Sequence, residues 1–155
     1  MTETSFQELS RRVSLLFARA ESDGFESLTE PERVLVRVWD AVGQIENGGF
    51  DQFFYNSSGD FAAEAVTALE SIGAANKAAI VKRAIALFPD GLPPRNRDER
   101  IEALDHISGT GDEDPFDSLN EEFYATAEDT DLLLEAYVEI HNAEIARVDA
   151  PRADA

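Results

Sequence analysis

The sequence predicts an all-α fold, a single globular domain of about six to eight helices joined by short loops. Three observations lead there: apolar residues recur at three- and four-residue spacing along most of the chain, no stretch alternates as a half-buried strand does, and helix-start and helix-stop residues punctuate the periodic runs. At 155 residues and 43% hydrophobic content, the chain suits one domain around one core.

Taken in order, Phe6, Leu9, Val13, Leu16, Phe17 and Ala20 share one side of a helix over residues 5 to 21, which Asp23 and Gly24 end. A second helix starts at "LTEPER", where Thr29 is a natural N-cap, Pro31 fits the first turn and Glu32 stands at the third position of a capping box. Val34, Leu35, Val38, Trp39, Val42 and Ile45 form its broad apolar face. Asn47 and Gly48 are expected to stop this helix, with glycine in the left-handed C-terminal position, and Gly49 lets the chain turn again at once. Phe50, Phe53 and Phe54 then share one side of a short helix and fill core volume, while Asp51, Gln52 and Asn56 lie elsewhere on it. "NSSGD" closes that turn and offers Ser58 or Asp60 as the next N-cap.

A helix from Phe61 runs through Ala65, Ala68, Leu69 and Ile72 to a stop at Gly73, and another covers Asn76 to Phe88 with Ile80, Ala84, Ile85 and Phe88 inward. After the Pro89 to Pro94 loop, Asn96 and Glu99 have N-cap and N3 spacing for a helix ending near Ile107. Phe116, Leu119 and Phe123 predict a short helix pinned to the core, and residues 131 to 146 a final one. Residues 1–28 are thus an N-terminal helix packed on a helical domain spanning 29–146, and 147–155 is read as a disordered tail.

Composition narrows the function classes. The formal net charge is -19, and it is uneven: residues 1 to 108 carry 18 acids and 11 bases, whereas 109 to 149 carry 13 acids and Arg147 alone as a base. Direct binding of nucleic-acid phosphates needs lysines and arginines to displace counterions, so it is not expected; a basic protein partner is. A simpler account also stands, since an acidic, lysine-poor and alanine-rich surface can reflect genome composition or a salty cytoplasm. Without cysteine there is no disulfide, thiolate metal site or cysteine nucleophile. The N-terminal residues form no leader pattern and no segment approaches a membrane span, so a cytoplasmic protein is expected.

Enzymatic chemistry finds little to stand on. Glu46, Asp51 and Asp60, with Asn47, Gln52 and Asn56, offer oxygen ligands of the kind a hard cation takes, and a metal-dependent enzyme using the Glu46/Asp51 corner is an alternative; capping and loop hydrogen bonding explain the same residues. His106 and His141 lack ligand spacing, Ser57 and Ser58 lack a nucleophile pattern, and "NGGF" lacks the spacing and the Lys of a phosphate loop. We expect no enzyme activity and no cofactor.

The pattern Glu46, Asn47, Gly48, Gly49, Phe50, Gln52, Phe53 and Asn56, followed by Ala68, Leu69, Ile72, Gly73 and Ala74 and then Ala84 and Phe88, resembles the bacterial DNA-mimic protein family over about residues 29 to 146, most strongly from 34 to 89. The resemblance implies an all-helical, dimeric acidic protein whose carboxylates imitate duplex phosphates and occupy the DNA-binding face of a helix-turn-helix regulator. The motif itself marks the scaffold. The mimic surface is expected among Asp112, Glu113, Asp114, Asp117, Glu121, Glu122, Glu128, Asp129, Asp131, Glu135 and Glu139, the last three at four-residue spacing on one helix. The bland account of these acids is a solvated face plus helix-start carboxylates at Asp129 and Asp131, which the helix dipole favours. An alternative of the same binding class is an immunity or antitoxin-like protein that covers a basic toxin.

Overall fold

The computed structural model describes residues 2–109 and 111–146; the tail expected over 147–155 lies outside them. Seven α-helices run in order among the described residues: α1 (Glu3–Asp23), α2 (Glu30–Tyr55), α3 (Ala62–Ser71), α4 (Ala75–Ile85), α5 (Arg97–Ser108), α6 (Asp117–Ala125) and α7 (Thr130–Ile140). Short 3-10 turns at Phe25–Ser27, Ser57–Phe61 and Pro89–Gly91 connect them. The all-α single domain is therefore as expected.

Helix α2 is the hub, packed by α1, α3, α5, α6 and α7, while α3 and α4 form a hairpin. Its start is the capping box: the Thr29 hydroxyl accepts the Glu32 N–H at 3.3 Å and the Glu32 carboxylate accepts the Thr29 N–H at 2.9 Å. Glu32 is fully buried and does more than cap. It pairs with Arg19 of α1 and accepts the Ala146 N–H at 2.8 Å, so one carboxylate joins the first helix, the hub and the C-terminal segment.

The hub bends at Gly48 and Gly49. The positive φ, 71° with ψ -171°, belongs to Gly49 rather than to Gly48, and the backbone resumes a helical path immediately instead of leaving through a loop. Phe50, Phe53 and Phe54 then enter the centre of the core, where Phe54 meets Phe88 at 4.7 Å and Phe50 meets Phe123 edge-on at 5.9 Å.

Four expectations need correction. Neither Ser58 nor Asp60 caps α3: the Ser58 hydroxyl donates to the Phe53 carbonyl at 2.7 Å, Asp60 pairs with Arg100 at 2.7 Å, and Phe61 stands at the cap position without a side-chain bond. The last helix ends at Ile140, because His141 leaves helical geometry and the chain must carry Ile145 into the core and Ala146 to Glu32. On α1, Phe6 and Phe17 stay 42% and 40% exposed: Leu9, Val13 and Leu16 form the buried stripe, and Phe6 lies at its edge with its ring 5.6 Å from that of Trp39 on the hub. At the corner, the left-handed position expected at Gly48 falls at Gly49, while the two helical stretches expected on either side of the break are both present and meet at these two non-helical glycines.

Arg100 escaped the sequence reading. It is the largest fully buried side chain among the described residues. Its guanidinium donates to the carbonyls of Phe54 (2.6 Å), Pro94 (2.9 Å), Arg95 (3.0 Å) and Asn56 (3.0 Å), knitting α5 to the end of the hub. A planar fork of five N–H groups satisfies such convergent carbonyls where a lysine has too few donors and the wrong shape.

Candidate partner-binding surface

The amides of the glycine motif are a hydrogen-bonded brace. Gln44 accepts from Gln52 at 2.8 Å and from Asn56 at 2.9 Å, and Asn47 donates to Gln52 at 3.0 Å. From α6, the Asn120 oxygen accepts the Phe50 N–H at 2.8 Å and the Tyr124 hydroxyl donates to the Ile45 carbonyl at 2.8 Å. These two contacts serve backbone groups on either side of the bend, where the regular helical pattern is interrupted. The elbow therefore fixes α6.

That helix divides its side chains cleanly. Phe116, just before it, and Leu119 and Phe123 within it are buried, while Asp112, Glu113, Asp117, Glu121 and Glu122 are exposed along the approach and outer side. The side chains of Asp112, Glu113, Asp117 and Glu121 make no hydrogen bond or ion pair with another described residue. They are without internal ion pairs, and Asp117 and Glu121 stand on a helix that Leu119 and Phe123 anchor from beneath.

Other acids expected at the surface are engaged in building the fold. Glu122 is bound at both oxygens by Arg83 of α4, which holds its carboxyl below the usual range through the hydrogen bond and the arginine's charge. Glu128 accepts the N–H groups of Asn76 (2.7 Å) and Lys77 (2.9 Å), capping α4 from across the molecule. Asp129 caps α7 by accepting the Leu132 N–H at 3.1 Å. The Asp114 carboxylate accepts the Phe116 N–H at 2.9 Å.

The row along α7 does not form one open face. Asp131 is half-buried in a polar cleft with Glu46, Lys77 and Asp129; burial first, and then the charge of Asp129, push its carboxyl up against the opposing pull of Lys77. Glu135 and Glu139 line a second cleft opposite Glu8 and Arg12 of α1. The exposed residues of α7 are Leu132, Ala136 and Ile140, an apolar set at four-residue spacing, together with Glu139. Sequence spacing showed the acids sharing a side; it could not show that they are divided between two clefts, with α1 beside Glu135 and Glu139 and with Glu139 still exposed.

The residues of the polar corner separate. Glu46 lies 3.7 Å from the buried Lys77 ammonium, which also donates to Thr130 at 3.0 Å, and Asp60 pairs with Arg100. Asp51 instead meets Asp114 and Asp117: burial first, then a hydrogen bond with Asp114 and both negative charges, raise its carboxyl to about 6. Among the described residues no group of three or more histidine and carboxylate side chains is arranged to hold a metal ion. His106 falls in the last turn of α5, and His141 stacks on Tyr137 at 4.3 Å and approaches Glu144 at 3.4 Å.

A braced, all-helical scaffold with unpaired carboxylates on one anchored helix and its approach defines an acidic α-helical protein; no described helix is long and apolar enough to cross a membrane. The chain belongs to the DMP19-like protein family, whose sequence model matches residues 26–141. No curated protein and no solved structure matches it. The match includes the glycine motif and the acidic helices alike, which is the DNA-mimic family the motif predicted, with limits slightly N-terminal to the expected 29 to 146.

Proposed function

We propose that this protein is a non-enzymatic, DNA-mimicking binder of a basic protein, and that Asp112, Glu113, Asp117 and Glu121 are the core of the surface it presents. The supporting observation is the division of α6: three buried apolar side chains fix the helix against the glycine elbow while its outer acids are left without internal partners. A decoy for duplex DNA, which carries one charge per ~1.7 Å of axis, needs carboxylates on a rigid support, because charges on mobile chains lose entropy when they dock. Arginines of a helix-turn-helix regulator would meet this face directly, giving fast association that weakens with salt. Glu122, Glu128 and Asp129 contribute field but hold structural posts, so their neutralisation mixes binding with stability.

The exposed α7 stripe supports a homodimer, in which Leu132 and Ile140, 45% and 78% exposed, would be covered by the second copy. Pairing would double the charged array. A protein that covers a basic toxin would use the same acids; duplex DNA competing for the partner separates the regulator reading from the toxin reading. The test is binding of a DNA-binding partner as salt is raised, with wild type compared to the variant carrying Asp112→Asn, Glu113→Gln, Asp117→Asn and Glu121→Gln. Steep salt dependence and loss in the variant support the proposal; indifference to both overturns it.

A further inference from the structure

Two turns that flank the hub bring Phe25 and Phe61 together, their rings 6.5 Å apart between centroids and 17° from parallel. The Arg37 guanidinium of α2 is held by both: its central carbon lies 4.0 Å from the Phe25 centroid and 3.7 Å from that of Phe61. Such cation–π contacts fix where the charge sits but use none of its N–H donors. Arg37 makes no hydrogen bond and closes no ion pair with another described residue. The neighbouring carboxylate of Glu64 is taken by Arg95 at 2.5 Å. Arg33, one turn earlier on the hub, is partly served: it donates to the Glu26 carbonyl at 3.0 Å and stands 3.9 Å from Glu30, while its Nε is buried without a partner.

Both arginines and both rings line a cleft of about 370 Å³ between α2 and α3, with Val34 and Ala68 as apolar wall and the exposed Thr67 at its edge. We propose that this cleft binds a small carboxylate with an apolar body, the carboxylate paired with Arg37 and the body lying against the rings, Val34 and Ala68. The volume suits a small organic ligand. A planar carboxylate matches the two parallel N–H groups of a guanidinium, and a single negative charge is repelled less than a phosphate dianion by Glu30 and Glu64 at the same cleft. A cation finds less there, because Glu64 is engaged and Glu30 is 80% exposed to water. Burial draws Arg37 below the usual guanidinium range, and the charges of Glu64, Asp40 and Asp60 do not make up the loss, so a bound carboxylate would supply what the fold does not. None of the lining residues belongs to α6 or its approach, so the site is separate from the acidic face and independent of what that face binds.

Titration of the full chain with phenylacetate, phenylacetamide and acetate at constant ionic strength tests it, followed by NMR at the Arg37 Nε–H and at the Thr67 and Ala68 amides. Phenylacetate should give saturable shifts at these groups. Phenylacetamide keeps the shape without the charge and acetate the charge without the body, and each should bind about tenfold more weakly or worse. Arg37→Gln should weaken phenylacetate binding by about tenfold or more, and Arg37→Lys should recover little, since it keeps the charge without the fork. Thr67→Trp, a change at an exposed position, should fill the cleft and block binding. Equal binding of acid and amide, phenylacetate shifts that never saturate, or binding unchanged in Arg37→Gln and Thr67→Trp overturns the proposal and leaves Arg37 as a structural tie between the two rings. Should Arg37→Gln fail to fold, the acid and amide compared on wild type, together with Thr67→Trp, decide.

Discussion

The Asn120 side-chain oxygen accepts the Phe50 N–H at 2.8 Å across 70 residues of sequence, and the same amide occupies the space beside Gly49, 2.7 Å from where a Cβ would stand. Close approach and positive φ meet at one residue. Gly49→Ala should therefore lower unfolding stability by about 2 kcal/mol or more, combining left-handed strain with displacement of Asn120. Asn120→Ala should cost about 1–3 kcal/mol by leaving the Phe50 N–H unserved, and Asn120→Asp, which retains an acceptor, should cost less. Urea denaturation of the three variants checks the order.

Arg100 gives a sharper prediction. Replacing it with Met leaves several carbonyls and Asp60 without their donor, for a loss of about 3–5 kcal/mol by chemical denaturation. Lysine should rescue little, since it cannot reproduce the fork.

These two residues mark the limit of the sequence reading. Helices announce themselves through local spacing, and the Thr29 and Asn96 caps are local as well, which is why both appear as expected. Arg100 and Asn120 act on residues 46 and 70 positions away, and neither periodicity nor capping chemistry encodes such contacts. The same holds for the surface. Acidity was legible from composition, but which acids remain uncommitted depends on Arg83 reaching Glu122, on the α4 amides reaching Glu128 and on Asp131 sharing a cleft with Lys77.

Stability should rise as pH falls from about 7.5 to 5. Asp40, Asp51 and Asp131 all have raised carboxyls, with burial the first cause in each. A raised folded-state value stabilises below the unfolded value and loses that contribution as pH climbs through the folded one, for Asp51 between 3.8 and about 6. Glu64 opposes this at lower pH: burial raises it, but the Arg95 hydrogen bond, its own backbone and the charges of Arg95 and Arg37 bring it below the usual range. Allowing for solvent screening of these half-exposed groups, the thermal midpoint should gain roughly 2–4 °C, and calorimetry at the two pH values measures it.

If α7 pairs two copies, Ile140→Lys should shift sedimentation from dimer to monomer without loss of helicity, because the side chain is 78% exposed in the isolated chain and supports no core contact there. A dimer unaffected by the change places the interface elsewhere.

One face of this protein is proposed to stand in for duplex DNA. The most direct measurement of that proposal is displacement: a DNA-binding partner loaded with a labelled duplex, titrated with this protein, and followed by fluorescence anisotropy. Wild type should release the duplex stoichiometrically, with the effect fading as salt rises, and the Asp112/Glu113/Asp117/Glu121 neutral variant should fail to do so. Release by the variant as complete as by wild type, or a ternary complex with the duplex still bound, would contradict it.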